Sequence, residues 1–325
     1  MKAIVYDEYG SPGVLRLTDL PVPTPDEGEV LVRVVASSIN DYDWHLLTGK
    51  PWINRLGGLR APKYDVLGMD VAGVVERAGT GATRFRVGDA VFGDLSESGL
   101  GAFAEYVVAP EKSLAPKPES LTFAQAGVVP QAGGLATVGL RGRRPLRPGD
   151  EVLVNGAGGG VGTIAIQMAK AYGAEVTAVD ATHKLDILRS VGADHVVDYT
   201  VEDVTRSGRR FDLILDIAAH HSVSHYRSCL KPGGYCGLIG GSIPRVVFTM
   251  VAGPVSSVGS NRKVGVPMWR PNHPDDVATL GALLDSGAVV PVIDSTYPLA
   301  GVPDAFRRFG AQEHRGKIAI AVSPG

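Results

Sequence analysis

EVLVNGAGGGVGTIAIQMAK, Glu151 to Lys170, is the stretch that decides the fold. Val152-Leu153-Val154 is the short apolar run that a buried parallel strand needs. A glycine cluster follows at Gly156, Gly158, Gly159, Gly160 and Gly162. Apolar residues at Val161, Ile164, Ala165 and Met168 then predict a helix, with Gly173 as its C-cap. Strand, glycine turn and helix form the context in which a glycine motif reads as a dinucleotide site. Glycines let the backbone approach a pyrophosphate, and N–H groups at the helix start face its charge. The strict G-x-G-x-x-G spacing is not met; the best register is Ala157-x-Gly159-x-x-Gly162. A second strand, Glu175 to Val179, ends in Asp180, 18 residues past Gly162. That is close to the roughly 20-residue offset of an acid on the adenosine ribose. A tight strand–helix turn with no ligand is the plainer alternative.

The 325-residue length allows about two domains. With 44% hydrophobic and 20% charged residues, the composition is that of a soluble globular protein. A net charge of −2 argues against a dedicated nucleic-acid or anionic-membrane surface. Two cysteines, Cys229 and Cys236, exclude a disulfide framework, fit a reducing compartment and have the wrong spacing for a zinc knuckle. MKAIVYDEYG lacks the apolar core of a signal peptide, and no apolar run approaches the ~18 residues that span a membrane. The expected location is the cytoplasm.

Up to about Pro118 the chain reads as all-β, with strands expected at Lys2–Val5, Val30–Ala36, Val71–Glu76, Ala90–Phe92 and Phe103–Val108. Ser37 to Gly68 breaks this rhythm as a long polar and aromatic loop, a natural place for a substrate site. Leu121 to Leu140 is a weakly helical link. From Glu151 strands and helices alternate through Phe211–Asp216 and Tyr235–Ile239, which means a parallel, doubly wound sheet. Arg262 to Trp269 is a candidate edge strand and Asp275 to Ser286 a further helix. The tail reads as strand Val289–Ile293, helix Pro303–Phe309 and strand Lys317–Val322.

Taken together, several segments resemble the medium-chain dehydrogenase/reductase superfamily over almost the whole chain. They are Ser38-Ile-Asn40-Asp-Tyr-Asp43, Gly68-Met-Asp70-Val-Ala-Gly73, Val87-Gly-Asp89, Gly101-Ala-Phe-Ala-Glu-Tyr106, the Ala157 to Gly162 turn, Gly192 to Tyr199, Lys231-Pro-Gly-Gly234 and Arg315-Gly-Lys317. The resemblance implies an α/β protein: a doubly wound Rossmann domain at 121–288 and a GroES-like β-barrel catalytic domain from 1–120 and 289–325. The nicotinamide would lie in the cleft between them. Zinc-dependent members carry a cysteine ligand where this chain has Asn40 and a His-Glu pair at Met69-Asp70. Asn and Met cannot replace thiolate and imidazole, so the chain looks like the zinc-free quinone oxidoreductase and enone reductase branch. Asn40, Asp43, Trp44, His45 and Pro130-Gln131-Ala132-Gly133 match bacterial members of that branch.

Asn40 can donate to a carbonyl or hold the cofactor, or fix the loop through an Asx turn. Tyr42 and Tyr64 are further catalytic candidates as hydroxyl donors. Asp43 would orient the loop through backbone N–H groups. His45 and Trp44 would line the pocket or pack. The cofactor residues implied are Asn40, Gln131, Thr137, Ala157, Gly159, Gly160, Val161, Asp180, Tyr199, Ile217, Ala218, Ile239, Gly240 and Lys317. Asp180 repels a 2′-phosphate and argues for NADH, while Thr182, His183 and Lys184 can cradle a phosphate; the cofactor is NAD(P)H, with NADH ahead. His220, His221 and His225 look like a metal cluster, with His221 and His225 on one helix face, but only two could point together and no nearby carboxylate completes a set, so no metal is expected. The expected activity is hydride reduction of a conjugated carbonyl, a quinone or enone, by a zinc-free homodimer. Alternatives are zinc-free alcohol oxidation and a non-catalytic NAD(P)-binding sensor.

Overall fold

The computed structural model describes residues 1–55, 58–142, 144–256 and 259–324; Leu56 and Gly57 of the expected Ser37–Gly68 loop lie outside them. In chain order the elements are β1 (Lys2–Val5), β2 (Arg16–Asp19), β3 (Glu29–Ser38), α1 (Asp41–Thr48), β4 (Asp70–Ala78), β5 (Ala90–Asp94), β6 (Tyr106–Pro110), β7 (Leu114–Pro116), α2 (Phe123–Ala126) and α3 (Pro130–Arg141). Next come β8 (Glu151–Asn155), α4 (Gly160–Ala171), β9 (Glu175–Asp180), α5 (Leu185–Ser190), β10 (His195–Asp198), β11 (Phe211–Asp216), α6 (Val223–Ser228), β12 (Leu230–Leu238), α7 (Ile243–Ser256) and β13 (Lys263–Gly265). The chain ends with α8 (Pro274–Asp285), β14 (Ile293–Pro298), α9 (Val302–Gly310) and β15 (Lys317–Ala321). Two compact units form: Met1–Ala132 with Arg270–Gly281 and Ile293–Gly325, and Gly133–Trp269 with Ala282–Val292.

In the first unit, seven strands run β14-β15-β3-β4-β5-β7, with β6 also on β3. Only β14 and β15 are parallel to each other; the other pairs are antiparallel. The alternation Val30, Val32, Val34 of β3 joins Val71, Val75, Val91 and Val107 in one core, as period-two patterning requires. A second core gathers Ile39, Leu47, Phe103, Phe306, Ile318 and Ile320. The register places Ser38 opposite Asp70, and Asp70 opposite Asp94, so polar residues fall in one row across three strands.

In the second unit, six strands run β10-β9-β8-β11-β12-β13, all parallel. From the central β8 the chain steps outward through β9 and β10, then returns to build β11, β12 and β13 on the other side. The order reverses between β8 and β11, where the carboxyl ends of strands leave a crevice for ligands. The doubly wound sheet expected from Glu151 onward is present.

The expected loop at Ser37–Gly68 is partly helical. Asp43, three residues after Asn40, accepts from the Asn40 N–H at 3.0 Å, which satisfies a backbone group at the start of α1. Gly49 ends the helix at φ 60°. The weak link before β8 is two helices, α2 with a Thr122–Gln125 capping pair and α3. The strand expected at Val289–Ile293 is displaced to Ile293–Pro298. Val290 instead exchanges both backbone bonds with the Gln167 side chain, at 2.9 and 3.0 Å, and Pro291 has no N–H for a ladder. The edge strand within Arg262–Trp269 shortens to Lys263–Gly265, with Pro267 following. Helix α7 has no counterpart in the sequence reading. It buries Thr249 and Gly253 while exposing Val247, Phe248, Met250 and Val251, the reverse of the amphipathic rule.

Candidate active site

Each unit carries one cluster of the residues expected to act. In the second unit they gather at the carboxyl ends of β8, β9, β11 and β12. The N–H groups of Gly156 and Ala157 donate to Val179 O at 3.1 and 3.0 Å, which ties the glycine turn to β9. Gly156 has φ 79°, a left-handed conformation that favours glycine. A methyl group on Gly162 would lie 2.4 Å from the Ala157 carbonyl oxygen, so glycine is needed where α4 crosses the turn. A methyl group on Gly159 would meet nothing within 4 Å among the described residues. Open space therefore lies in front of the start of α4, where the first backbone N–H groups lack intrahelical acceptors. That is the donor set of a phosphate site, and Gly159, Gly160 and Val161 are its backbone. These residues fit a dinucleotide.

Asp180 stands at the end of β9 as its spacing predicts, and its carboxylate accepts from the N–H of Gly158 at 2.7 Å and of Ala181 at 2.8 Å. Lys184 Nζ is 4.0 Å from Asp180, and both side chains are nearly buried. Thr182 donates to Asp198, His183 is exposed, and Tyr199 is exposed beside them with its N–H on Asp180 O. On the other side of β8, the Ile217 N–H donates to Asn155 O and the Ile239 N–H to Asp216 O, both at 2.9 Å. Gly240 packs against the Ile217 carbonyl so closely that a methyl group would sit 2.1 Å from it; Ala218 faces Gly156. Thr137 donates back to Gly133 O within α3 at 2.8 Å. The sequence reading missed Asn155 and Asp216, joined by a 2.7 Å hydrogen bond where the strand order reverses. Burial raises the Asp216 carboxyl above its ordinary range. Adjacent strand-end positions in the alternation could have signalled the pair.

His221 and His225 do not share a helix face, because α6 begins after Ser222, whose side chain caps it. The rings of His220 and His221 lie 4.0 Å apart and those of His221 and His225 5.9 Å apart. Among the described residues no group of three His, Cys, Asp or Glu is arranged to hold a metal ion.

In the first unit, Asn40 and Lys317 meet at Asp70. Lys317 Nζ donates to Asn40 Oδ1, to Ile39 O at 3.1 Å and to Asp70 Oδ2 at 3.3 Å. Asn40 Nδ2 and Ser38 Oγ donate to the same Asp70 oxygen at 3.0 and 2.6 Å. The Gln131 N–H donates to Asp70 Oδ1 at 2.9 Å, and its side chain donates to Met69 Sδ. All of these side chains are buried. Asp43 accepts from the N–H groups of Asn40 and Gly68, each at 3.0 Å, the orienting role expected of it. Burial nonetheless pushes its carboxyl up to about 7. Burial, with the Asp70 charge next, likewise pushes Asp94 up to about 7, and Asp94 Oδ2 has no hydrogen-bond partner among the described residues. Sequence reasoning missed Asp94, which lies past the expected strand Ala90–Phe92 and meets Asp70 only through strand register. Tyr42 is 42% exposed on α1, its phenol pushed upward by partial burial first and by Tyr64 second. Tyr64 accepts from Lys63 Nζ at 3.1 Å. Trp44 packs on Phe306 and Phe309, a core role, and His45 Nδ1 lies 2.8 Å from Lys50 O.

Residues 26–119 match a family model described as the alcohol dehydrogenase GroES-like domain, and 191–320 one described as zinc-binding dehydrogenase. The NADPH-dependent alkenal/one oxidoreductase of Arabidopsis thaliana is 34% identical over 100% of this chain and 80% of its own. The chain belongs to the medium-chain dehydrogenase/reductase superfamily. Another member, quinone-oxidoreductase QR1 of Triphysaria versicolor, is 30% identical over 98% of both chains. The quinone oxidoreductase structure from Coxiella burnetii superposes with a TM-score of 0.88 over 99% of both chains, at 26% identity. The GroES-like and Rossmann parts of the superfamily fold are both present. The zinc in the second family description does not fit this member. Its expected ligand positions hold Asn40 and a Met69 thioether already taken by Gln131, and the Lys317 ammonium stands among them.

Proposed function

We propose that the protein is a zinc-independent NAD(P)H-dependent oxidoreductase that reduces a conjugated carbonyl, a quinone or an α,β-unsaturated ketone. The observation that carries this reading is the likeness, over 100% of this chain and 80% of the relative, to an alkenal/one oxidoreductase in a chain whose glycine turn suits a dinucleotide. Bound NAD(P)H supplies the hydride that the β-carbon of the substrate accepts. The start of α4 and the Gly159 opening hold the pyrophosphate. Asp180, Thr182, His183, Lys184 and Tyr199 receive the adenosine end, and Ile217, Ala218, Ile239 and Gly240 frame the opposite side of the turn. Negative charge that develops on the substrate oxygen is met by hydrogen-bond donors in place of a metal. Asn40 is such a donor: its Nδ2 gives one hydrogen to Asp70, and the other meets no acceptor among the described residues. Tyr42 or Tyr64 delivers the proton.

Residues 1–120 and 289–325 form the catalytic domain in this reading, and 121–288 bind the cofactor. No helix among the described residues is long and apolar enough to cross a membrane. We place the protein in the cytoplasm, where Cys229 and Cys236 stay free. It works as a homodimer: β13 is the open edge of the six-stranded sheet, and α7, packed on β13 through Gly253, leaves Val247, Phe248, Met250 and Val251 exposed beside it. A monomer by light scattering at micromolar concentration would count against the dimer. Turnover is tested by NADPH and NADH oxidation with a simple quinone and a simple enone; oxidation of neither cofactor would remove the proposal.

A further inference from the structure

Three carboxylates, Asp43, Asp70 and Asp94, are buried in the first unit around one ammonium, that of Lys317. A buried cation is costly unless every proton finds an acceptor. Lys317 meets that condition: its three N–H groups match three acceptors, Asn40 Oδ1, Ile39 O and Asp70 Oδ2. Two of these anchors belong to the β3 end and one to β4, so the ammonium is held from two strands. Asn40 is bonded on both sides of its carboxamide, by Lys317 at the oxygen and by Asp70 at the nitrogen. This pairing allows one amide orientation, because a flip would point the NH2 group at the ammonium. An ammonium on the amide oxygen also draws electrons from the nitrogen and makes the remaining N–H a stronger donor.

We infer that Lys317 is a positioning residue: it locks and polarises the Asn40 carboxamide so that the free Nδ2 hydrogen serves as the oxyanion donor. The inference rests on the proposed reduction, in which Asn40 meets the substrate oxygen. It assigns the cation of the site a task performed through Asn40, with no N–H left to reach a ligand directly. Asp70 completes the lock by taking the other Nδ2 hydrogen, and Ser38 and Gln131 hold Asp70 in place.

The test compares wild type, Lys317→Arg, and the double variant Lys317→Met/Asp70→Asn, which removes the ammonium and the carboxylate it pairs with together. The first readout is the Asn40 side-chain amide by nitrogen-15 NMR, assigned through its loss in Asn40→Asp. In wild type its hydrogens exchange slowly with solvent; in the double variant exchange quickens about tenfold or more. The second readout separates binding from turnover. NADPH affinity in the double variant stays within about threefold, while kcat with an enone falls about tenfold or more, and Lys317→Arg recovers part of it. Unchanged amide exchange in a folded double variant overturns the lock. A kcat within about twofold of wild type, or a loss seen only in NADPH affinity, overturns the positioning role. If wild type turns over no quinone or enone but the amide is released as described, the lock stands and the proposed reaction is what fails.

Discussion

Asp94→Asn should make the protein progressively more stable than wild type from about pH 4 up to about pH 7 and beyond, and leave it unchanged below about pH 4. Asp94 is almost wholly buried, accepts the Ser96 N–H at 2.7 Å through Oδ1, and has no partner at Oδ2 among the described residues. Burial and the Asp70 charge raise its carboxyl from 3.8 to about 7 in the folded protein. Between those values the folded state binds the proton and the unfolded state does not, so stability falls as pH rises. The contribution is complete below about pH 4 and gone above about pH 7. About three pH units at roughly 1.4 kcal/mol each make it on the order of 4 kcal/mol. Asparagine keeps an oxygen for Ser96 and carries no titrating proton. Urea unfolding at pH 5, 6, 7 and 8 should therefore show the wild-type midpoint falling more steeply than that of the variant. Asp43, also raised to about 7, leaves a residual slope in both. Carboxylates lowered by partners, such as Asp150 beside Arg144, lose their contribution only at more acid pH and do not interfere. Parallel midpoints for the two proteins across pH 5–8 would refute the reasoning.

Further outcomes follow from the glycine turn. Gly162→Ala puts a methyl group 2.4 Å from the Ala157 carbonyl oxygen and should cost about 1–3 kcal/mol of stability, read by urea unfolding, along with NADPH affinity. Gly159→Ala meets no neighbour and should fold with an unchanged melting temperature, yet bind NADPH about tenfold more weakly because the methyl group fills the phosphate opening. Asp180→Ser removes the acceptor of the Gly158 and Ala181 N–H groups, so titrations should show both cofactors weakened. NADH should lose more, raising the NADPH-to-NADH ratio of kcat/KM about tenfold.

The second unit was legible because its signals are local. The run before Asn155, the Gly156–Gly162 turn and the spacing to Asp180 each follow from neighbours in the chain, and β9 ends at Asp180 as the spacing requires. The first-unit cluster was legible only in part. Asn40 and Lys317 could be singled out by resemblance, but their contact joins residues 277 positions apart. Asp94 enters through strand register, which single-sequence patterning does not give. Helix α1 was hidden in a stretch that reads as a loop until Asp43 is seen to cap it. Helix α7 was hidden because it buries Thr249 and Gly253 and turns Phe248 and Met250 outward, opposite to the periodicity that reveals a surface helix.

The central claim is that this chain reduces conjugated carbonyls with a nicotinamide cofactor and no metal. The measurement that tests it most directly is the initial rate of NADPH and NADH oxidation, followed by absorbance, with a simple enone and with a simple quinone, before and after exhaustive chelation. The account predicts turnover of at least one acceptor at a rate that chelation leaves unchanged. Oxidation of neither cofactor, or activity that chelation abolishes and zinc restores, would contradict it.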